Sequence, residues 1–140
     1  MIHFVCFYDI STGIQAKLAF SKEFKHCNVI TYDGESWLVT EFDAFGYQIQ
    51  MVDVKSGASL IRGMKHVPSL TALIVVDVEK KTRICWKPFM GRSCNELARY
   101  IVGADIGFTF NPKHLYNKLL KKESSNYNIL HAWRRQDGII

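Results

Sequence analysis

The sequence places a cysteine at a position with chemical consequences, in the stretch SCNELARYIVG. Ser93 and Glu96 have the S-x-x-E spacing of a capping box, in which the serine hydroxyl accepts from the Glu96 N–H and the carboxylate reaches back to the Ser93 N–H. The apolar residues that follow recur at helical spacing, and they predict a helix from about 94 to 102 that ends at Gly103. Cys94 is then the first residue of that helix.

A thiol at the start of a helix has two possible meanings. The first N–H groups of a helix lack intrahelical partners, and the helix dipole makes this end positive, so both effects favour a thiolate and lower the pKa of Cys94. The same N–H groups could hold a developing oxyanion. However, cysteine is also a small buried hydrophobe, and a lone cysteine at a helix start is more often structural. A catalytic interpretation therefore requires a base.

His26 is the best candidate for this base, because it begins a strand-like run, HCNVITY, that leads into a hairpin. A two-residue turn at Asp33-Gly34 would place His26 opposite Glu41, whose carboxylate can then accept a hydrogen bond from the imidazole and fix its tautomer. A four-residue turn would instead place Glu41 opposite Asn28. Of the other four histidines, His66 stays open as a second choice, and three fit the role less well: His3, His114 and His131.

The bulk composition is that of an ordinary globular protein of one domain, residues 1–140, with 48% apolar and 22% charged residues. No apolar run approaches the roughly 20 residues of a membrane-spanning helix, and the N-terminus is typical of a strand and not of a signal peptide. We therefore expect a protein that is cytoplasmic in the producing cell, with no membrane partner. The four cysteines form no C-x-x-C, so we expect no metal, and we expect no cofactor either. Because the N-terminus has no secretion-signal pattern, we expect the cysteines to be free thiols.

The net charge of +5 is concentrated near the C-terminus. Residues 113–140 carry six Lys/Arg and two Asp/Glu. This excess is compatible with a nucleic-acid footprint, but a solvated helix face followed by a tail is the more frequent meaning of such a pattern. A nucleic-acid partner is therefore the less favoured expectation.

The remaining patterns predict an α+β domain in which helices pack on a mainly antiparallel sheet. Asn111 is predicted to cap a last helix that has Pro112 in its first turn. The end of the chain, 124–140, is either an edge strand or an extended tail. Further strands are predicted at 2–8, 47–54, 70–78 and 82–86, and helices at 57–65 and, unless it is an exposed connection, at 13–22.

The order of these segments resembles the permuted papain-like amidases, which are circularly permuted relatives of the NlpC-type peptidoglycan peptidases. KHCNVITYDGESWLVTEF looks like the histidine strand and hairpin of that family, and SCNELARYIVG looks like its nucleophile helix. FNPKHLYNKLL looks like the helix that commonly closes the permuted form, often in phage-encoded members. The resemblance covers about residues 24–121.

The resemblance implies a circularly permuted papain-like fold and a cysteine hydrolase that cleaves an amide, expected in a cell-wall peptide; lipid esters are the alternative. It implies Cys94 as nucleophile and His26 as general base. The orienting position falls on Thr40 or Glu41, of which Glu41 fits the family better. Cys27 departs from the family, which has a small or apolar residue beside the histidine.

Two other functions compete with the hydrolase. The protein could be a structural or interaction component of a phage virion, with an inactive papain-like fold and other virion proteins as partners. It could also bind nucleic acid through its basic C-terminal segment, although it lacks the glycine-rich loops and helix-turn-helix patterns common in such proteins.

Overall fold

The computed structural model describes residues 1–9, 23–43, 46–79, 93–103, 106–121 and 126–135. These residues form a mixed α+β structure, an open six-stranded antiparallel sheet with three helices, as the patterns predict. The sheet order is β4-β3-β2-β1-β5-β6. The strands are β1 (Ile2–Tyr8), β2 (His26–Tyr32), β3 (Trp37–Asp43), β4 (Gly46–Val52), β5 (Leu70–Val78) and β6 (Tyr127–Arg134). The helices are α1 (Gly57–Lys65), α2 (Cys94–Val102) and α3 (Pro112–Lys121).

The C-terminal part of the chain bears on two expectations from the sequence, the structure of 124–140 and the last helix. Within the segment 124–140, residues Tyr127–Arg134 form β6, which pairs antiparallel with β5 at the edge of the sheet. The predicted last helix is present as α3, and Asn111 caps it by accepting from the His114 N–H at 2.8 Å. The predicted elements at 13–22 and 82–86 lie outside the described residues.

The central strands of the sheet are buried on both faces. Alternate side chains of β1 and β5 point to opposite sides, so each of these central strands contributes to two apolar layers. On one face, α2 and α3 pack against side chains that include Val5 and Phe7 of β1. On the other face, α1 packs against side chains that include Phe4 and Cys6 of the same strand. The strand β5, LTALIVVDV, is apolar on both faces because it lies between these two layers.

The turn between β2 and β3 has four residues and not the two expected at Asp33-Gly34, since Tyr32 pairs with Trp37. The Asp33 carboxylate accepts from the N–H groups of Glu35 at 2.9 Å and Ser36 at 2.8 Å. The Asp33 side chain thus supplies the loop N–H groups with a hydrogen-bond acceptor, which in a two-residue turn would come from the partner strand. The register shifts by two residues, and if it is continued by one pair it places Glu41 opposite Asn28.

Four of the six basic residues of 113–140 make contacts within the part of the protein that the structure describes. Lys113 and Arg134 both approach the Glu23 carboxylate, at 3.3 and 3.4 Å. Lys118 and Arg135 donate to backbone carbonyl groups. These contacts give part of the local charge excess a structural role.

His3 provides a test of the core. Its side chain is 2% exposed, and its Nδ1 lies 2.9 Å from the Thr31 hydroxyl. Burial disfavours the imidazolium and the charged N-terminus repels it, so the pKa of His3 is lowered to about 4. Below pH 6.5 the unfolded chain protonates this histidine while the folded chain does not, so acid favours unfolding.

We expect the free energy of unfolding to fall as the pH falls from 6.5 to 4, by up to about 3 kcal/mol from this residue. Urea denaturation across this range measures the slope. The variant His3→Gln should lose that part of the slope, because it cannot titrate. A variant that keeps the entire wild-type slope would place the titrating group elsewhere.

Candidate functional site

The helix α2 places Cys94 at its first position, as the capping pattern predicts. Ser93 is extended, with φ −143° and ψ 152°, and its hydroxyl accepts from the Glu96 N–H at 3.4 Å. The Ser93 carbonyl accepts from the Leu97 N–H at 3.0 Å. Gly103 ends the helix in the left-handed region, at φ 64°, where glycine is favoured. The N–H groups of Cys94 and Asn95 precede any intrahelical acceptor and face the same end of the helix.

The carboxylate of Glu96 is used differently from the capping-box prediction. Its Oε1 accepts from the N–H of Thr109 at 2.9 Å and from the hydroxyl at 2.6 Å, and its Oε2 pairs with Arg99 at 2.9 Å. The Asn95 amide also donates to Thr109, to the carbonyl at 2.7 Å and to the hydroxyl at 3.0 Å. Because Asn95, Glu96 and Thr109 are at most 2% exposed, these bonds form a buried clamp. The clamp holds the start of α2 against the segment that follows the helix.

The strands β2 and β3 bring the imidazole and the carboxylate together. His26 Nε2 lies 3.8 Å from Glu41 Oε2. The expected proximity is therefore present although the expected register is wrong. In the observed register the two residues are diagonal neighbours on one face, and long side chains reach across that separation. The ring of Tyr8 lies beside His26, with centroids 6.0 Å apart.

The sulfur of Cys94 completes the site. The helix α2 packs on β2 and β3. The Cys94 sulfur is close enough to the His26 ring and to the thiol and backbone of Cys27 for each of them to shift its pKa. Neighbouring residues of a strand point to opposite faces, so a sulfur close to both lies beside the end of the strand. The β2–β3 pairing runs only as far as Val29↔Thr40, which leaves this end of β2 unpaired with β3.

The contacts of the sulfur favour a thiolate. The pKa of Cys94 is lowered well below its usual range, first by the Cys27 thiol and then, against the opposing effect of burial, by the hydrogen bond and charge of His26. Burial alone would lower the pKa of His26, but the Cys94 sulfur and the Glu41 carboxylate raise it overall. Burial raises the pKa of Cys27, which therefore remains a thiol and a donor. The mutual effect of the two groups favours an imidazolium–thiolate pair.

The sequence offers two histidines as candidate bases, and sequence reasoning misses one residue of the site, Cys27. Of the histidines, His26 contacts Cys94, whereas His66 lies at the C-terminal cap of α1. Sequence patterns mark Cys27 only as a departure from the family, and its position directly after the candidate base is the signal that could have identified it. Among the described residues, no group of three or more His, Cys, Asp or Glu side chains has an arrangement that could hold a metal ion.

Comparison of the chain with protein-family models, curated proteins and solved structures finds no match. No helix within the described part of the chain is long and apolar enough to cross a membrane.

The clamp at the start of α2 predicts a measurable loss of stability in Thr109→Val. This variant removes the hydroxyl bonds to Glu96 and Asn95 and leaves buried polar groups unpaired, so we expect a loss of about 1–3 kcal/mol in the free energy of unfolding. Urea denaturation at pH 7 measures it. Thr109→Ser keeps the hydroxyl and is the matched control, so equal losses in both variants would assign the effect to packing.

The hydrogen bond from Cys27 predicts a change in the titration of Cys94. In Cys27→Ala the thiolate loses a donor, and a hydrogen bond to a charged group is worth about 1.5–3 kcal/mol, so the pKa of Cys94 should rise by about one pH unit or more. Thiolate absorbance at 240 nm, taken as the difference from a Cys94→Ala background, measures this pKa.

Cys27→Ser is the matched variant, because its hydroxyl can still donate, and it should change the pKa of Cys94 less than Cys27→Ala does. Cys6→Ala controls for the loss of a buried thiol on the other face of the sheet. If serine and alanine at position 27 raise the pKa equally, the side-chain hydrogen bond is not what stabilises the thiolate.

Proposed function

We propose that the protein is a cysteine hydrolase that cleaves an amide bond, with Cys94 as nucleophile, His26 as general base and Glu41 as the residue that orients the imidazole. The observation that carries the proposal is that Cys94, at the N-terminus of α2, and His26, on the strand against which α2 packs, shift each other's pKa toward the thiolate and the imidazolium. A nucleophile, a base within hydrogen-bonding reach and a third group behind the base are the parts of an activated thiol site.

The mechanism begins with the ion pair. The Cys94 thiolate attacks the carbonyl carbon, and the developing oxyanion is held by the Cys94 N–H at the positive end of the helix. The His26 imidazolium then gives its proton to the leaving amine as the carbon–nitrogen bond breaks, which leaves an acyl-enzyme. Water, deprotonated by His26, attacks this thioester, and Cys94 leaves as the thiolate.

The order of the elements supports the more specific assignment to a circularly permuted papain-like fold. The strand with the histidine, β2, precedes the cysteine helix, α2, and α3 follows it, as the resemblance implies. From that resemblance we take the amide of a cell-wall peptide as the first substrate class, with a phage as the source that fits it, and an ester as the second class.

The burial of Cys94 favours a second candidate, an inactive papain-like fold that serves as a structural or interaction component of a virion. Cys94 is 6% exposed, and its neighbour Cys27 is fully buried. A substrate carbonyl must reach the sulfur within bonding distance, so a hydrolase requires a local opening at this end of β2. An inert scaffold does not require it, and it predicts a Cys94 that iodoacetamide does not alkylate.

Acylation by p-nitrophenyl acetate tests the hydrolase without knowledge of the substrate. We expect a burst of one p-nitrophenolate per protein, and a mass increase of one acetyl group on Cys94. Cys94→Ala should abolish the burst, and His26→Ala should slow it about 10²- to 10⁴-fold, because it removes general acid–base catalysis. Glu41→Gln should slow it by up to about 100-fold through misplacement of the imidazole.

Each control variant makes the same kind of substitution as a site variant, but outside the site. Cys6→Ala removes a buried thiol whose pKa burial raises to about 12, and Glu35→Gln removes a carboxylate from the loop of the same hairpin. Both should retain the burst. A Cys94 that is alkylated slowly and forms no acyl-enzyme in the folded protein would favour the structural role. Release of amines from cell-wall peptides then tests the substrate class.

A further inference from the structure

The hydrolytic mechanism leaves one thiol at the site without a chemical step. Cys27 lies next to His26 on β2, against which α2 packs, and both its thiol and its backbone lower the pKa of the Cys94 sulfur. Both side chains belong to one apolar cluster under α2, and both are free cysteines. A reactive thiolate and a protonated thiol packed in one cluster are the two components that disulfide formation requires.

We propose that Cys27 and Cys94 form a peroxide-responsive dithiol, in which Cys94 is the oxidised thiolate and Cys27 is the resolving thiol. This proposal uses the thiolate on which the proposed function also depends, but it does not require that the protein hydrolyse anything. The modification that it predicts is a reversible Cys27–Cys94 disulfide.

The reaction balances with a hydroperoxide as the oxidant. The Cys94 thiolate attacks the terminal peroxide oxygen, the O–O bond breaks, and the leaving oxygen takes a proton, which yields a sulfenic acid on Cys94 and one molecule of water or alcohol. The Cys27 sulfur then attacks the Cys94 sulfur, its proton leaves with the hydroxyl group as water, and the S–S bond forms. A dithiol reductant restores both thiols by exchange.

The surroundings of the pair favour this outcome. The His26 imidazolium stabilises the attacking thiolate and can supply a proton to the departing oxygen. The 6% exposure of Cys94 restricts large reagents more than a molecule the size of hydrogen peroxide. Cys6, by contrast, faces the other side of the sheet, where its thiol lies 3.8 Å from the Phe4 carbonyl. It is not placed to resolve Cys94.

Peptide mapping of the intact protein tests the proposal. Trypsin places Cys27 in the peptide 26–55 and Cys94 in the peptide 93–99, separate from those that contain Cys6 and Cys85. The folded protein is treated with one equivalent of hydrogen peroxide at pH 7, quenched with an alkylating agent and digested without reductant. We expect a linked 26–55/93–99 pair, which disappears after treatment with dithiothreitol.

Substitutions identify the role of each thiol. Cys27→Ser should form no linked pair and should accumulate a Cys94 sulfenic acid that a cyclic 1,3-dione traps. Cys94→Ser should slow the oxidation of Cys27 at least about tenfold, because Cys27 by itself remains a thiol. Cys6→Ala should leave the linked pair unchanged.

Two results would overturn the proposal. The first is a wild-type Cys94 that is converted to sulfenic or sulfinic acid while Cys27 stays reduced. The second is a linked pair that forms only after the protein is unfolded in urea. The ester burst tests the hydrolase separately. A protein that forms the disulfide but gives no burst supports the dithiol and contradicts hydrolysis, whereas a burst without the disulfide supports hydrolysis and contradicts the dithiol.

Discussion

The stabilisation of a nearly buried thiolate is the interaction on which the rest of this structure depends. Removing a charge from water is costly unless hydrogen bonds and an opposite charge compensate it. At Cys94 the compensation comes from the Cys27 thiol and backbone, the imidazolium of His26 and the positive end of α2. These groups belong to two elements, so the state of the sulfur depends on how α2 sits against β2.

The packing of the domain keeps that contact in place. The sheet is covered on both faces, which fixes β2 between β1 and β3, and the ladder between β1 and β2 extends to the pair Tyr8↔His26. The helix is held at its start by the buried bonds of Asn95 and Glu96 to Thr109. A change in this clamp would move the sulfur relative to the imidazole, although none of its residues touches a reacting atom.

The two corrected expectations share a physical cause. Both corrections involve a carboxylate whose acceptor role differs from the predicted pattern. Asp33 was expected only as a turn residue and accepts from N–H groups of its own loop, whereas Glu96 had a local partner suggested by spacing and bonds elsewhere. In the hairpin, Asp33 accepts from two loop N–H groups and lengthens the turn. In the helix, Glu96 finds the Thr109 N–H and hydroxyl in the core, where unmet hydrogen bonds are more costly than at the surface. A carboxylate can accept from a local N–H group or from a group elsewhere in the fold, and sequence spacing alone does not determine which partner it takes.

The sequence by itself determined the α+β class, the bounds of α2 and the last helix, and the identity of the candidate nucleophile and base, because capping residues, apolar periodicity and turn residues act over a few neighbouring positions. Only the tertiary structure decided the hairpin register, the diagonal contact of His26 with Glu41 and the presence of Cys27 at the sulfur. These depend on how separate elements pack, which is set by the whole core and not by any local stretch. The contact between residues 26 and 94, far apart in the chain, belongs to this second kind.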